Sequence, residues 1–423
     1  MKTIFVSLSA ACALLHTLTA QSIDTITLDQ CYHYAMQHYP LARQKEMLQQ
    51  SYNLELKKLN TQYLPHLAVN AQATYQSEVP HVAVDIPLFD IPLAPKDQYK
   101  ANVEVTQVIF DGNATRYQKK IQAASLQAQS QQIDVQLYQL KAQISSLYFS
   151  ILLADAQLEL NELLHQNIEN QLNKVVAAVE NGLLLPSNAD VLKAELIKVR
   201  QQQLNLRQSK AAATEILAEL TSLNITSATV LQHPHSDFIA DVDISARPEL
   251  QLFHLQHHLL ESQHKSILAR QLPKLGGFFQ GGVGRPGLNL LDNAVEPYYI
   301  AGVKFTWEPW RWNAEKYSRQ IIHINKKIIH TQQEVFELNT RAALIKQQAV
   351  IASLQQQLTT DTELIALREK ITATAAVQLG NGVITATDYL TELNAEQLAR
   401  LNQKTHEIQL EQAKAEYELI KGK

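Results

Sequence analysis

Apolar and polar residues alternate along short segments of this chain, and each pair of short segments leads into a long stretch with a helical repeat. From Leu67 to Gln76, and again from Ala101 to Ile109, apolar residues recur at every second position, with Gln107 as the one exception. This period predicts two strands that are solvated on one face. Further on, the apolar spacing alternates between four and three, which is typical of a coiled-coil seam. The seam consists of Ile133, Leu137, Leu140, Ile144, Leu147, Ile151, Ala154 and Leu158.

The same succession of patterns recurs about 200 residues later. Eight residues keep their identity and spacing: Tyr99, Ala101, Val103, Thr106, Asn113, Ala114, Tyr117 and Ile121 recur as Tyr299, Ala301, Val303, Thr306, Asn313, Ala314, Tyr317 and Ile321. The pair Asn181-Gly182 likewise recurs as Asn381-Gly382. Because this period is too long for a solenoid, it predicts two copies of one unit made of two strands and a long helical hairpin.

The second copy adds two strands and a second heptad seam. The strands are predicted at about Leu275 to Val283 and Tyr298 to Trp307, and a helix from Thr27 to about Asn60 is predicted before the first copy's strands. Thr331 is the one polar member of the second seam. Its other members are Tyr317, Ile321, Ile324, Ile328, Val335, Leu338, Ala342 and Ile345.

These patterns predict a chain in four parts. Residues 1–20 form a leader, residues 21–224 the first repeat, residues 225–247 a linker and residues 248–423 the second repeat. Each repeat is expected to contain a helix, two strands and a helical hairpin. The hairpin turns at Asn-Gly, where glycine permits a left-handed backbone.

The leader has the features of an export signal. Lys2 precedes an apolar stretch, and small residues form a cleavage site before Gln21, where the mature chain is expected to begin. The alternative is lipoprotein processing at Cys12, although the apolar stretch continues past that residue. After cleavage at Gln21 only Cys31 remains, which excludes an intramolecular disulfide.

Composition and the absence of several motifs exclude other classes of protein. The 423 residues are 46% hydrophobic and 18% charged, with a net charge of -4 and no basic stripe, so nucleic acid is not an expected partner. His254 and His258 have a spacing that suits a shared metal ion, but no further ligand completes such a site. No nucleophile elbow, phosphate loop or acid–base pair indicates an enzyme or a cofactor.

The strand and helix lengths indicate an assembly that involves a membrane. No stretch of the mature chain is apolar enough for a helical span, whereas four strands of about ten residues match the thickness of a bilayer. Four strands cannot close into a barrel, so copies of the chain must pool their strands. A helix from Asn113 to Asn181 would be roughly 100 Å long and would suit a hollow cylinder of coiled coils.

Several short motifs follow this plan in a fixed order. Leu64-Pro65 and Leu272-Pro273 precede the first strand of each repeat, and the segment from Val108 to Gly112 leads into the long helix. Segments from Gly182 to Asp190 and from Gly382 to Asp388 form the hairpin turns. In these motifs and in its duplicated plan, the mature chain resembles the TolC family of outer-membrane efflux and secretion proteins over essentially its whole length.

The resemblance implies a mainly α fold with membrane β-strands, in which a homotrimer forms a twelve-stranded β-barrel continuous with an α-helical coiled-coil tunnel. Such a protein lies in the outer membrane of a Gram-negative bacterium, with its helices in the periplasm. It is the passive exit duct of a tripartite efflux or type I secretion system, and its partners are outer-membrane lipid, a periplasmic adaptor and an inner-membrane transporter. The sequence does not indicate the cargo.

Two alternatives remain open at this stage. One is a soluble periplasmic coiled-coil adaptor or scaffold whose alternating segments form a small sandwich, and the other is a glutamine-rich filament protein. A barrel requires an apolar face on all four strands. Glycines such as Gly277 interrupt that face in the second repeat.

The resemblance also implies roles for residues at the hairpin turns. The adaptor-docking positions match Gly182, Leu183, Gly382 and Val383. Asp190 and Asp388 match acidic positions of the periplasmic aperture, but Thr391 replaces the second acidic residue, so milder cation selectivity is expected. The alternative is that the glycines serve only the turns, and that the aspartates are solvated or cap helices.

Charged and aromatic residues of the strands suggest further roles. Glu104 and Lys304 occupy equivalent positions on the polar strand faces, so both are expected to face the barrel lumen, and an ion pair across neighbouring strands is one expectation. Trp307, Trp310 and Trp312, with Phe110 in the first repeat, are expected where strands meet helices. There they form either an aromatic girdle or the core of the junction.

Overall fold

A computed structural model describes residues 25–79, 95–234, 238–290 and 292–423. The predicted export signal and Cys12 lie outside the described residues, as does most of the proline-containing loop between the first two strands. The chain divides into two compact units, and each takes segments from both sequence repeats. Unit 1 consists of Met1–Ala35, Gln143–Asp237 and Ser353–Ala415, and unit 2 of Met36–Ala142, Phe238–Ala352 and Glu416–Lys423.

The helices and strands of the second half follow the order of those in the first half. The elements are β1 (Thr25–Ile26), α1 (Leu28–His38), a 3-10 turn (Pro40–Arg43), α2 (Gln44–Thr61), β2 (His66–Tyr75), β3 (Asp97–Phe110), α3 (Ala114–Glu180), α4 (Pro186–Thr221), β4 (Val230–Leu231), α5 (Pro248–Ala269), β5 (Lys274–Arg285), β6 (Glu296–Thr306), α6 (Ala314–Gly380) and α7 (Ala386–Lys421). Both α3 and α6 have 67 residues, and both α4 and α7 have 36, so the two hairpins match in length as well as in order.

Unit 2 contains the four predicted strands, which form one antiparallel sheet in the order β2-β3-β5-β6. The register places Val69 beside Val103, Val103 beside Gly281, and Gly281 beside Tyr299. Within the described residues, β2 pairs only with β3, and β6 pairs only with β5. The sheet therefore has two unpaired edges.

The first heptad seam packs within the chain, because all eight of its residues are buried or half-buried. The second seam does not. Its seven large apolar members are between 49 and 65% exposed, although α6 buries Leu344 and Ile351 on another side. The sequence thus predicted a helical stripe correctly, and the structure shows that the single chain leaves that stripe uncovered.

The helix predicted from Thr27 to Asn60 is wrong in one respect, because a 3-10 turn interrupts it at Pro40–Arg43. Tyr39 has φ -58° and ψ 133°, an extended conformation that the following proline favours.

No sequence pattern indicated β1 and β4, which pair in parallel within unit 1. Beside this strand pair, the Tyr148 hydroxyl is within hydrogen-bond distance of two carbonyl oxygens, that of Ile26 at 2.8 Å and that of Gln232 at 2.6 Å. Burial raises the pKa of Tyr148 above its usual value.

Candidate functional site

Both hairpins of unit 1 turn through the same backbone motif. Gly182 and Gly382 each have φ +71°, which side chains other than glycine rarely adopt. The Gly182 N–H donates to the Val179 carbonyl at 3.0 Å, and the Leu183 N–H donates to the Ala178 carbonyl at 2.8 Å. The second hairpin repeats both bonds. This pair of bonds defines a Schellman motif, so the predicted turns are confirmed in position and in chemistry.

The residues after these glycines form an exposed apolar tip. Leu183 and Leu185 are each 71% exposed, and Val383 is 70% exposed. Leu184, between the two exposed leucines, and Ile384, next to Val383, are partly buried and pack against a buried cluster. The tips therefore present leucine and valine side chains to solvent while their neighbours anchor the turns.

Four helices share the buried cluster beneath the tips. Its members are Leu164, Ile168 and Val175 of α3, Ala189, Leu192 and Val199 of α4, Ala375 and Leu379 of α6, and Ala386, Tyr389, Leu390 and Leu393 of α7. The Asn188 side-chain oxygen accepts a hydrogen bond from the Ala386 backbone N–H at 2.8 Å. Sequence reasoning missed Asn188, whose only signal was its position 200 residues before Asp388.

Asp388 caps α7. Its carboxylate accepts bonds from the Thr385 backbone N–H at 3.0 Å and from the Thr385 hydroxyl at 2.7 Å, and the Asp388 N–H donates back to Oγ1 of Thr385 at 3.3 Å. This is a reciprocal capping box with aspartate in the usual place of glutamate. The backbone bond from Thr385, together with the hydroxyl bond, lowers the pKa of the exposed Asp388 carboxyl.

The other two residues assigned to the aperture also find partners on their own helices. Asp190 is exposed and lies 3.2 Å from the Lys193 ammonium. The Thr391 hydroxyl is exposed and donates to the Thr387 carbonyl at 3.0 Å. Each of these contacts lies within one helix or its first turn, and both aspartates lie at the solvent-exposed surface.

Nearby charged residues link α6 to α7, and sequence reasoning missed them. The Arg368 guanidinium lies 3.2 Å from the Glu392 carboxylate, and the Thr372 hydroxyl donates to the Glu392 carbonyl at 3.3 Å. These residues come from separate helices and share no local period, which explains why the sequence did not reveal them.

In unit 2, odd-numbered residues of all four strands share one face of the sheet. Large apolar side chains dominate this odd face, and most of them are exposed in the single chain. The exposed members are Leu67, Val69, Tyr75, Tyr99, Val103, Phe279, Val283, Tyr299, Val303 and Phe305.

The two glycines of the odd face, Gly277 and Gly281, stand beside apolar side chains of Ile109 and Phe279, respectively. The Phe279 ring lies 3.3 Å from where a Cβ on Gly281 would stand, and it stacks on Tyr299 with ring centroids 6.5 Å apart. Gly282, on the other face, allows close strand approach, since a Cβ there would lie 2.2 Å from the Ala101 carbonyl oxygen. The apolar odd face therefore extends across all four strands.

Even-numbered residues form a mainly polar face, and both Glu104 and Lys304 lie on it. The expected ion pair between them is wrong, since β5 separates their strands. Glu104 stands beside Gln280, whereas Lys304 stands beside Gly276, four residues away along β5. Strand order, which the sequence did not reveal, decides this outcome.

The three tryptophans follow β6 and are exposed. Trp307, Trp310 and Trp312 are 56, 70 and 82% exposed, so they do not form a packed core of the junction within this chain. The Trp310 and Trp312 rings meet edge to face with centroids 5.9 Å apart, and the Trp307 indole N–H donates to the Gln271 carbonyl at 3.1 Å. Phe110 is 39% exposed.

Within the described ranges, no helix combines the length and apolar character needed to cross a membrane. The same part of the chain contains no group of three or more histidine, cysteine or acidic side chains placed to hold a metal ion. His257, on the same helix as His254 and His258, instead lies 3.8 Å from the Glu261 carboxylate.

Solved structures match this architecture over nearly the whole chain. The outer membrane protein VceC of Vibrio cholerae is 13% identical with a TM-score of 0.66, and the match covers 93% of this chain and 96% of VceC. The Campylobacter jejuni CmeC outer membrane channel is 11% identical with a TM-score of 0.65, over 93% of this chain and 85% of CmeC. The chain has the fold of the TolC family.

A third similar structure with the TolC fold is the open state of the Neisseria gonorrhoeae MtrE outer membrane channel. It is 14% identical with a TM-score of 0.64, and the match covers 93% of this chain and 89% of MtrE. No family model and no curated protein sequence matches the chain. The low identities explain why the likeness rests on architecture and short motifs.

Proposed function

We propose that this chain is the outer-membrane exit duct of a tripartite efflux or type I secretion system in a Gram-negative bacterium. Three copies of the four-stranded sheet form a twelve-stranded barrel in the outer membrane. The long helices form a coiled-coil tunnel in the periplasm. Substrates pass through passively, without enzymatic chemistry, from an inner-membrane transporter and a periplasmic adaptor.

The exposed apolar odd face of the sheet is the observation that carries this proposal. A soluble protein rarely exposes so many large apolar side chains together, whereas lipid would solvate them. The two open edges require partners in hydrocarbon, where an unpaired backbone group costs several kcal/mol. Additional copies of the same chain supply those partners, and the polar even face then lines water.

The tips and the aperture complete the proposal. Leu183 and Val383, presented by the turns at Gly182 and Gly382, dock against the adaptor, because exposed apolar tips require a covering surface. Asp190 and Asp388 keep exposed carboxylates near the turns and favour cations at the aperture, while Thr391 adds no charge. Glu104 and Lys304 face the lumen on the polar side of the sheet.

Membrane fractionation followed by bilayer recording tests the exit duct directly. We expect the protein to remain in the outer-membrane fraction after salt and carbonate washes, to require detergent for extraction, and to form water-filled pores in planar bilayers. Release by osmotic shock of a protein that needs no detergent would instead favour the soluble adaptor or scaffold.

The docking role has a separate test. We expect Leu183→Ser combined with Val383→Ser to abolish co-purification of the periplasmic adaptor while bilayer conductance is unchanged. Ile239→Ser is the matched control, since Ile239 is an equally exposed apolar residue outside the hairpins. Adaptor binding that survives the double substitution would contradict docking through the tips.

A further inference from the structure

A groove crosses the odd face of the sheet near one end of its strands. Its volume is about 410 Å³, which lies within the range of roughly 300 to 1,000 Å³ that is typical of ligand sites. Three small residues and three larger apolar ones line it, namely Ala71, Ala73 and Ala101, with Tyr99, Val283 and Val295. The groove is therefore an apolar depression in a face that is already apolar.

The register of the strands produces this depression. Ala71 stands beside Ala101, and Ala101 stands beside Val283. In the next row of the same face, Ala73 stands beside Tyr99. An alanine side chain ends at Cβ, whereas Tyr99 and Val283 project further and are 51 and 46% exposed. The three alanines thus form a floor, and the larger side chains form walls.

The groove lies at the end of the sheet away from the helices. β2 ends at Tyr75 and β5 ends at Arg285, whereas α2 and α5 precede the opposite ends of these strands. Because the sheet is antiparallel, β3 and β6 begin at the groove end, and α3 and α6 follow their other ends. In the proposed exit duct the helices lie in the periplasm. The groove then lies toward the cell exterior, in the outer leaflet of the membrane.

Arg285 stands at the rim of the groove. Its Nη1 donates to the Asp97 carboxylate at 2.9 Å, and its Nε donates to the Asn293 carbonyl at 3.0 Å. These bonds use two of the five N–H donors of a guanidinium, and the side chain is 37% exposed. The two bonds hold the guanidinium in place beside the apolar groove. Its other donors suit a phosphate group, whose oxygens match the arginine fork.

We infer that the groove binds lipid A, the acylated and phosphorylated glucosamine disaccharide of the outer leaflet. One acyl chain lies on the alanine floor, and one phosphate accepts hydrogen bonds from Arg285. This inference rests on the proposed function, which places the odd face in the outer membrane. An acyl chain in the groove supplies the dispersion contacts that an unfilled depression lacks.

Two other occupants fit the groove less well. A second copy of the chain pairs with the sheet edges through backbone groups, and this pairing leaves the faces of the strands uncovered. A phospholipid also carries a phosphate and acyl chains, but phospholipids fill the inner leaflet of the outer membrane, at the opposite end of the sheet. Both the depth of the groove in the membrane and the arginine at its rim therefore favour lipid A.

Native mass spectrometry of the detergent-purified protein, titrated with lipid A, tests the acyl groove. Ala101→Trp places a large ring on the floor, so we expect this variant to lose lipid A binding. Leu67→Trp is the matched control, since Leu67 is a 70% exposed residue of the same face at the other end of β2. We expect the Leu67→Trp variant to bind lipid A as the wild type does.

Lipid A from which the phosphates have been removed tests the contact at the rim. The wild type should bind this form about tenfold more weakly, the loss expected for a charge-assisted hydrogen bond. Arg285→Gln should bind both forms equally weakly. Asp97→Asn breaks the same ion pair but keeps the guanidinium, so it should keep the preference for the phosphorylated form.

Detergent sedimentation reports the assembly of each variant independently of lipid binding. A trimer that binds lipid A equally well after Ala101→Trp, or that binds phosphatidylglycerol as tightly as lipid A, overturns this inference and leaves the exit duct standing. A preference for phosphates that survives Arg285→Gln overturns the contact at the rim. A folded single chain with no oligomer at all contradicts the exit duct itself.

Discussion

At the scale of single residues, alanine substitutions at two glycines of the second tip distinguish the effect of backbone strain from that of packing. Gly382 has φ +71°, whereas Gly380 is the last residue of α6, and a Cβ added to it would meet no atom within 4 Å. Gly382→Ala should destabilise the turn by about 1 kcal/mol. Gly380→Ala should stabilise α6 by about 0.5 to 1 kcal/mol.

Hydrogen exchange of peptides that cover the second tip measures both effects. Faster exchange at the turn in Gly382→Ala, and unchanged or slower exchange in Gly380→Ala, is the expected result. Equal exchange in the two variants would mean that the left-handed conformation contributes nothing to the stability of the turn.

The lowered pKa of Asp388 gives a second prediction at this scale. A lowered folded-state pKa keeps the carboxylate charged as pH falls through the usual aspartate value of ~3.9, so any cation preference that this carboxylate provides persists there. Thr385→Ala removes the hydroxyl donor and should shift the loss of cation preference to higher pH. Asp388→Asn should reduce that preference at every pH at which the wild-type carboxylate is ionised. Reversal potentials in planar bilayers, recorded from acidic to neutral pH, provide the measurement. An identical pH profile in Thr385→Ala would contradict the hydroxyl's contribution.

At the scale of elements, β5 depends on one glycine far more than on another. A Cβ on Gly282 would lie 2.2 Å from the Ala101 carbonyl oxygen, whereas one on Gly277 would meet only the Ile109 side chain at 3.7 Å. Gly282→Ala should therefore separate β5 from β3 and abolish the proposed trimer in detergent sedimentation, and Gly277→Ala should preserve it. A trimer that persists in Gly282→Ala would show that the two strands can move apart without loss of the sheet.

The junction between the linker and α5 gives another prediction for an element. The Arg247 guanidinium lies 2.6 Å from the Glu249 carboxylate and about 5 Å from the centres of the Tyr138 and Phe336 rings. Arg247→Ala leaves a largely buried carboxylate unpaired and should cost about 3 to 5 kcal/mol. Arg247→Lys keeps the charge but loses the bidentate contact, so it should cost less than Arg247→Ala. Urea unfolding of the two variants measures this order, and an alanine variant as stable as the lysine variant would contradict it.

Local patterns predicted the elements better than their partners. Period-two alternation located β2, β3, β5 and β6, and the Asn-Gly pairs located both hairpin turns, because each signal lies within a few adjacent residues. Asn188, which bonds to Ala386, and Tyr148, which lies at the β1 and β4 pairing, depend on residues far away in the chain. No local period marks such contacts.

At the scale of the whole molecule, the tryptophans provide a test of the proposed position of the membrane. Trp307, Trp310 and Trp312 are exposed next to the apolar odd face, and indole rings favour the boundary between lipid and water. Brominated lipids should therefore quench most of the tryptophan fluorescence, since these three are all the tryptophans in the chain. Emission that bromine does not change would place these rings outside the bilayer.

The strand lengths and the duplication predicted a shared barrel, but they could not decide which surfaces meet. The sequence marked the α6 stripe as a seam without showing that the chain leaves it uncovered. It also could not order the strands, so Glu104 and Lys304 were expected to pair although β5 separates their strands. Contacts between distant residues, within and between chains, depend on the order in which strands and helices lie side by side. The hydrophobic period of the sequence does not reveal that order.

Native mass spectrometry of the detergent-extracted protein tests most directly whether copies of the chain complete one another. Open sheet edges and an uncovered apolar face require such completion, so we expect a mass of three chains that persists until the detergent micelle is removed. A folded protein with the mass of one chain, stable in buffer without detergent, would contradict the shared barrel.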